Sequence, residues 1–217
     1  MMRIVFILAF VVACFAGCKK KEKATMEING KVTDNANGAG ISGASVKIYY
    51  KPYQNGVYVS SYSLLTTAST DASGNYSFNV EKPNTDGLKF VVEASAYFPG
   101  EKIVNPDNIS TSSANTQNFS IDASGTLAIH IKNTTPIASD DFIQFQTTGL
   151  NYSCSICCGS SPIQKFGMTV DTSFSCMRYA NRYIYYNYIK TKAAVTTVVN
   201  DSVYLPAGTT VNLDIFY

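Results

Sequence analysis

The body of the chain alternates apolar and polar positions with a period of two. Met26, Ile28 and Val32 begin this pattern. Beyond residue 25, no stretch of ten or more residues carries the i, i+3, i+4, i+7 spacing of an amphipathic helix. The alternation therefore predicts a protein built from half-buried strands. It recurs in six further segments, at residues 46–50, 76–80, 127–131, 142–145, 184–189 and 211–215.

Two groups of predicted strands suggest two domains. Clusters of Gly, Asn and Asp separate the strands, for example at 34–38 and 84–87, where the chain can reverse at little cost. A Ser/Thr/Asn-rich stretch at 105–118 precedes the last strand of the first group, which places the boundary close to residue 121. We expect an all-β protein of two tandem immunoglobulin-like antiparallel β-sandwiches, at residues 26–121 and 122–217.

The N-terminus has the pattern of an export signal that ends in a cysteine. Arg3 is followed by an apolar run at 4–15, which is too short to cross a bilayer core of about 30 Å as a helix. Residues 15–18, Phe-Ala-Gly-Cys, resemble the lipobox of bacterial lipoproteins, and the whole arrangement resembles lipoproteins of Bacteroidota. The resemblance implies that residues 1–17 are a signal peptide.

The same resemblance implies a lipid on Cys18 and a hydrophilic tether over residues 18–25. The protein would then bind a membrane through this anchor and lie in the cell envelope, at the outer membrane. Only Glu22 is acidic in the tether, so the sequence leaves open whether the protein faces the periplasm or the cell surface.

Three short motifs in the first predicted domain occur in a recognisable order. Residues 30–34 read G-x-V-x-D, residues 40–46 read G-x-x-G-A-x-V, and residues 70–76 read T-D-x-x-G-x-Y. Together they resemble the carboxypeptidase regulatory-like domain over roughly residues 26–100. That resemblance implies a transthyretin-like sandwich that supplies no catalytic residues.

Composition argues against several functional classes. Charged residues make up 15% of the chain, against roughly 25% in an average soluble domain. The formal charge is +2, and from residue 24 onward 12 basic residues face 14 acidic ones, so no positive field would attract nucleic acid. We therefore expect no nucleic-acid partner.

Few residues could support catalysis or bind a metal. His130 is the single histidine, and there is no tryptophan. Its alternation with Ile129 and Ile131 predicts a solvated or hydrogen-bonded strand histidine. Asp140 and Asp141 could contribute to a calcium site, but the calcium-loop signature is missing, so strand-end capping is the preferred interpretation. We expect no catalytic residue, no metal and no cofactor, and hence a non-enzymatic protein.

Four cysteines remain in the second predicted domain, namely Cys154, Cys157, Cys158 and Cys176. An even number in an exported chain favours disulfides. A bridge between the adjacent Cys157 and Cys158 would be strained, so we expect Cys176 to bond with one of them and Cys154 with the other. The segment at 148–165 would then be a stapled loop. A four-thiolate zinc site and a redox dithiol are the two alternatives.

Tyrosines crowd one predicted strand near residue 185. On a strand, Tyr183 and Tyr185 share one face, while Tyr186 and Tyr188 share the other with Ile184. An exposed aromatic ladder could stack sugar rings, and these tyrosines are the candidate binding surface; packing against a core edge or the first domain is the alternative. The sequence thus favours a structural or protein-interaction module with an envelope protein as partner, or alternatively a glycan-binding accessory lipoprotein.

Overall fold

The computed structural model describes residues 23–148 and 161–217. These residues form seventeen strands and one 3₁₀ turn, Pro106–Asn108. The first ten strands are β1 (Thr25–Asp34), β2 (Ser45–Tyr50), β3 (Tyr53–Gln54), β4 (Val57–Tyr58), β5 (Ser63–Ser69), β6 (Asn75–Glu81), β7 (Leu88–Glu93), β8 (Gly100–Val104), β9 (Asn115–Thr116) and β10 (Phe119–Ile121). The remaining seven are β11 (Ser124–Lys132), β12 (Phe142–Thr148), β13 (Ile163–Phe166), β14 (Asp171–Tyr179), β15 (Arg182–Lys192), β16 (Val195–Leu205) and β17 (Thr210–Phe216).

Each alternating segment of the sequence lies in a strand, so the all-β prediction is confirmed. In β1, the side chains of Met26, Ile28 and Val32 are fully buried, as their period requires. β12 and β15 follow the same rule, with Ile143 and Ile184 pointing inward.

The first sandwich packs two sheets against each other. One sheet has the order β10-β1-β6, with β9 also beside β1, and the other has the order β5-β2-β7-β8. β3 and β4 form a separate small hairpin. The facing side chains build a core that includes Met26, Ile28, Val46, Ile48, Tyr76, Phe78, Leu88, Phe90, Phe119 and Ile121.

The second sandwich has the same two-layer construction. A three-stranded sheet, β14-β11-β17, faces a four-stranded sheet, β13-β12-β15-β16. A second cluster of buried side chains fills the space between them and begins at Ala123, two residues after the first cluster ends. This core includes Leu127, Ile129, Ile131, Ile143, Phe145, Ile184, Tyr186, Leu205, Leu213 and Ile215.

Most strand pairings are antiparallel, as expected for such sandwiches, and three are parallel. β1 is parallel to both β9 and β10, and β11 is parallel to β17. A parallel pair cannot be closed by a tight hairpin, because the chain must first return across the molecule. In both sandwiches the last strands make this return, and they pair there with the first strand of the same sandwich.

The two sandwiches meet at a polar joint around Asp34. The Asp34 carboxylate is buried, and it accepts hydrogen bonds from the Tyr97 hydroxyl at 3.1 Å and from the Asn181 side-chain amide at 2.5 Å. The Tyr97 ring also packs against both cores. Beside it, the Arg182 guanidinium donates to the Asp122 carboxylate at 2.8 Å. Contacts of this kind fix the position of one sandwich relative to the other.

Candidate functional site

The outer face of the four-stranded sheet in the second sandwich carries no charged side chain within the described residues. We call it the uncharged face. Strand pairing places its members side by side, because directly opposed residues point to the same side of a sheet. It consists of Phe142, Gln144, Gln146 and Thr148 of β12, Gln164 and Phe166 of β13, Tyr183, Tyr185, Asn187, Ile189 and Thr191 of β15, and Thr196, Val198, Asn200, Ser202 and Tyr204 of β16.

Aromatic rings lie at both ends of the uncharged face. At one end, Tyr183 is opposite Tyr204, with the ring centroids 5.3 Å apart in an edge-to-face arrangement. At the other end, Phe142 contacts Phe166 at a centroid distance of 4.7 Å. Phe166 is 68% exposed and Tyr183 is 58% exposed, so both clusters present ring surface to solvent.

Side-chain amides occupy the middle of the face. Asn187 is opposite Gln146 on one side and Asn200 on the other, which makes a row across three strands. Next to it, the Gln164 amide donates to the Gln144 side-chain carbonyl at 2.7 Å. Each amide carries both donors and acceptors, so this row can form hydrogen bonds with a ligand without requiring a charge on it.

The absence of charge on this face is unusual for a protein surface. Ordinary surfaces carry roughly 25–35% Lys, Arg, Glu and Asp, whereas the central parts of interfaces are depleted of charge and enriched in aromatic residues. Covering a charged surface costs desolvation energy, and this face avoids that cost. Its chemistry is therefore suited to contact with another molecule.

The tyrosines divide between the two sides of β15 as the alternation predicts. Tyr183 and Tyr185 are each 58% exposed, and both belong to the uncharged face. Tyr186 is buried, and Tyr188 packs against the core from a half-buried position. Burial raises the pKa of Tyr186 to about 12, with a further contribution from its hydrogen bond to the Asp201 carboxylate at 3.1 Å.

Sequence reasoning found only two of the residues on this face. Tyr204, Phe166, Gln144, Gln146, Gln164 and Asn200 escaped it because they lie on three other strands, whose register with β15 is not visible in a local pattern. Asn187 lies on β15 itself but escaped because only tyrosines were considered. A usable signal was nevertheless present in β16. Its eleven residues contain one charge, that of Asp201.

His130 lies on the outer side of the three-stranded sheet, as its alternation predicts. Its Nε2 is 2.8 Å from the Asp171 carboxylate and its Nδ1 is 3.5 Å from that of Asp214. Lys132 also donates to Asp171 at 2.8 Å, and hydrogen bonds from Lys132 and His130 lower the pKa of Asp171. In the parts of the chain that the structure describes, no group of three or more His, Cys, Asp or Glu residues is placed to hold a metal ion.

Asp141 acts as a cap before β12, which agrees with the interpretation preferred from the sequence for the Asp140–Asp141 pair. The buried Asp141 carboxylate accepts hydrogen bonds from the backbone N–H groups of Ile137 at 2.9 Å and Ala138 at 3.3 Å. The Asn133 amide donates to it as well, at 2.9 Å. These hydrogen bonds, that from Ile137 first, lower the pKa of Asp141.

Most of the candidate cysteines fall outside the described residues. These are Cys18, Cys154, Cys157 and Cys158, so the lipidation site and the disulfide pairing stay predictions. Cys176 is described; it lies on β14 opposite Leu127 and is half-buried. Among the described residues, no helix has the length and apolar character needed to cross a membrane.

No protein-family model matches the chain, and no curated protein matches its sequence. Solved structures overlap with it loosely. The Bacillus anthracis TIE protein is 12% identical with a TM-score of 0.40, over 89% of this chain and 34% of that one. A streptococcal ancillary pilin is 13% identical with a TM-score of 0.36, over 91% of this chain and 64% of the pilin.

The shaft pilin SpaA from Lactobacillus rhamnosus GG, in its E269A/D295N form, overlaps to a similar degree. It is 9% identical with a TM-score of 0.33, over 90% of this chain and 97% of that one. The chain thus spans about a third of the TIE protein and less than two thirds of the ancillary pilin.

Proposed function

We propose that this protein is a non-enzymatic, lipid-anchored interaction module of the cell envelope, and that its uncharged face contacts an envelope protein. One observation carries the proposal: sixteen neighbouring surface positions on four strands lack any charge. Tyrosine rings supply large contact area at a low cost in conformational entropy, and the amide row supplies hydrogen bonds. The face therefore resembles the central part of an interface in its chemistry.

The rest of the chain has a supporting role in this proposal. The lipid on Cys18 holds the protein at the outer membrane, and residues 18–25 are the tether. The first sandwich is a carboxypeptidase regulatory-like module that acts as a spacer. The polar joint at Asp34 supports this role, because it links the spacer directly to the second sandwich. The contact face would thus be presented at a defined distance from the membrane.

Site-specific photo-crosslinking tests the protein contact. The full chain, with its own leader, carries a photoreactive phenylalanine analogue at Tyr185 or, as the control, at Ile103 of the first sandwich. The two positions are 58% and 64% exposed, so they are matched in access to solvent. In whole cells, we expect Tyr185 to give a discrete adduct that contains a second envelope protein, and Ile103 to give none.

A charge on the face should abolish this contact. We expect Val198→Arg to reduce the Tyr185 adduct at least tenfold, since a single poorly paired charge at an interface centre costs about 2 kcal/mol or more. Leu64→Arg, at an equally exposed position of the first sandwich, should leave the adduct unchanged. If neither Tyr185 nor Asn187, tested in the same way, gave an adduct, this result would contradict the proposal.

A neutral glycan is the second candidate ligand, and the exposed rings of Tyr183, Tyr185 and Tyr204 favour it. Aromatic rings beside amide donors are suited to stack and orient sugar rings. Purified peptidoglycan sacculi and an array of bacterial polysaccharides are the probes. Binding that falls at least tenfold in Tyr183→Ala/Tyr185→Ala would support this candidate, whereas binding unchanged by these substitutions would eliminate the tyrosine surface as its site.

We also propose the disulfide staple, in which Cys176 bonds with Cys157 or Cys158. The staple is supported by the state of Cys176, whose sulfur is disulfide-bonded rather than a free thiol. Mass spectrometry of the unreduced chain, expressed with its own leader in a lipoprotein-processing bacterium, tests the staple and the anchor together. We expect a diacylglyceryl or triacyl mass on Cys18 and bridged peptides at the other cysteines. An unlipidated chain with free thiols would contradict both.

A further inference from the structure

β16 is the longest edge strand among the described residues. Its eleven residues, Val195–Leu205, pair with β15 in one unbroken register. Within the described residues, no strand pairs with its other side. Along that side, alternate backbone N–H and C=O groups point outward, and this arrangement is a template for another extended strand.

Most natural edge strands are protected against such pairing by charge, proline, irregular register or short length. The edge strand β8 carries Glu101 and Lys102. β5 shows a register shift against β2, and β13 has only four residues. β16 has no proline and no register shift, and it carries one charge, on Asp201.

The side chains of β16 are also unusually open to solvent. Val195 is 67% exposed, Val198 is 56% exposed and Tyr204 is 46% exposed. β-Branched and aromatic residues favour cross-strand contacts, so packing against the side chains of a neighbouring strand would stabilise the pairing.

We propose that β16 pairs in antiparallel fashion with β16 of a second copy of this chain. Full overlap of the eleven residues places the two-fold axis at Asn200, which faces its own copy. Val195 then faces Leu205, Thr196 faces Tyr204 and Val198 faces Ser202. This inference does not depend on the identity of any partner of the uncharged face.

The residues that oppose each other in this register favour a second copy as the occupant. In the register centred on Asn200, each Asp201 faces Val199 rather than the other Asp201, so no like charges are opposed. The exposed residues Val195 and Tyr204 each gain a partner. The two four-stranded sheets become one continuous sheet, and the uncharged faces of both copies lie on the same side of it.

Disulfide trapping tests the register. Asn200→Cys is introduced into the full chain, expressed with its own leader, and isolated membranes are mildly oxidised. Opposed residues in an antiparallel pair have Cα atoms about 4.5–5.5 Å apart, within reach of a disulfide. We expect a dimer on non-reducing gels, with the 200–200 link identified by peptide mass spectrometry.

The matched control is Asn187→Cys, which lies directly beside Asn200 on the same face but on the central strand β15. It cannot reach its own copy across a paired edge, so we expect no 187–187 link. A 187–187 link as strong as the 200–200 link would overturn the proposal in favour of two faces stacked on each other. Absence of both links would also overturn it.

A second variant separates loss of pairing from loss of folding. We expect Val198→Lys, at an exposed position, to reduce the trapped dimer of Asn200→Cys about tenfold, because two symmetric cross-strand pairs are lost. Ile103→Lys, at a position of the first sandwich that is 64% exposed against 56% for Val198, should leave the dimer unchanged. An unchanged dimer in Val198→Lys, at an unchanged melting temperature, would contradict pairing through β16.

Discussion

Two neighbouring side chains, Thr70 and Asp71, hold the corner that leads from β5 into β6. The buried Thr70 hydroxyl donates to the Ile41 carbonyl at 2.6 Å and accepts from the Ala44 N–H at 2.8 Å. The Asp71 carboxylate accepts from the N–H groups of Ser73 and Asn75, both at 2.8 Å. The Thr-Asp pair of the motif is thus explained by the hydrogen bonds it makes to two separate turns.

Asp71 should contribute to the loss of folding stability at acidic pH. Hydrogen bonds, those from Asn75 first, lower its pKa below the ordinary 3.8. A lowered folded-state pKa adds stability that is present above pH 3.8 and is lost as the pH falls through the folded-state value. We expect Asp71→Asn, which keeps an acceptor oxygen but does not titrate, to lose less stability than wild type between about pH 5 and pH 2.

Urea midpoints measured at pH steps across this range check the effect. Asp71→Ala, measured at the same pH steps, serves as the control, because it removes the acceptor and should lower the midpoint at every pH. If Asp71→Asn showed the same acid dependence as wild type, the carboxylate would have no part in it.

At the scale of elements, the first sandwich depends on close backbone approach between β1 and the turn before β6. Gly74 adopts φ +84°, and a Cβ atom there would lie 2.4 Å from the Val32 carbonyl oxygen. The Val32 N–H donates to the Gly74 carbonyl at 2.8 Å. The turn and β1 are therefore held at hydrogen-bonding distance, which leaves no room for a side chain.

We expect Gly74→Ala to destabilise the protein far more than Gly38→Ala. Gly38 also has a positive φ, of +74°, but a Cβ atom there would meet nothing within 4 Å. Gly38→Ala should cost only the left-handed backbone penalty of about 1–2 kcal/mol. Gly74→Ala adds a backbone clash and should cost about 3 kcal/mol or more.

Chemical denaturation of both variants measures the difference. Equal free energies of unfolding would mean that β1 and the turn can separate without loss. Such a result would contradict the close approach described for this corner.

At the scale of the whole molecule, the polar joint decides whether the two sandwiches behave as one body. Asp34 is 2% exposed, and its carboxylate accepts a hydrogen bond from the Ala36 N–H of its own turn at 2.7 Å. The same carboxylate accepts hydrogen bonds from the Tyr97 hydroxyl and the Asn181 side-chain amide. Asn181 in turn accepts from the Ala207 N–H at 3.0 Å. One carboxylate thus connects three segments that are distant in sequence. Burial, with Asp34 close by, raises the pKa of Tyr97.

Loss of the Asp34 carboxylate should uncouple the sandwiches. We expect Asp34→Ala to cost about 2–4 kcal/mol, because several partly buried hydrogen bonds lose their acceptor, and to split one unfolding transition into two. Scanning calorimetry measures both effects. Asp107→Ala, at an exposed aspartate of the first sandwich, is the control and should change little. A single transition at the wild-type temperature in Asp34→Ala would contradict the joint.

Local sequence patterns determined the strands and the side on which each side chain lies. The period-two alternation depends only on backbone geometry, so it placed Tyr183 and Tyr185 on the same face without knowledge of any neighbour. The turn chemistry of Asp71 and Gly74 is equally local. Both features can be predicted because they depend on backbone geometry or on hydrogen bonds within one turn, such as those from Ser73 and Asn75 to Asp71.

Tertiary structure alone decided which strands became neighbours. The uncharged face requires β12, β13, β15 and β16 to align in one register, and the joint requires Asp34 to meet Asn181. Register and long-range contact follow from the packing of complete cores, because a slip of one residue would turn every side chain to the wrong side. The sequence therefore determined the strands and their exposed tyrosines, whereas the assembled surface and the exposed edge of β16 arise only when the sheets pack.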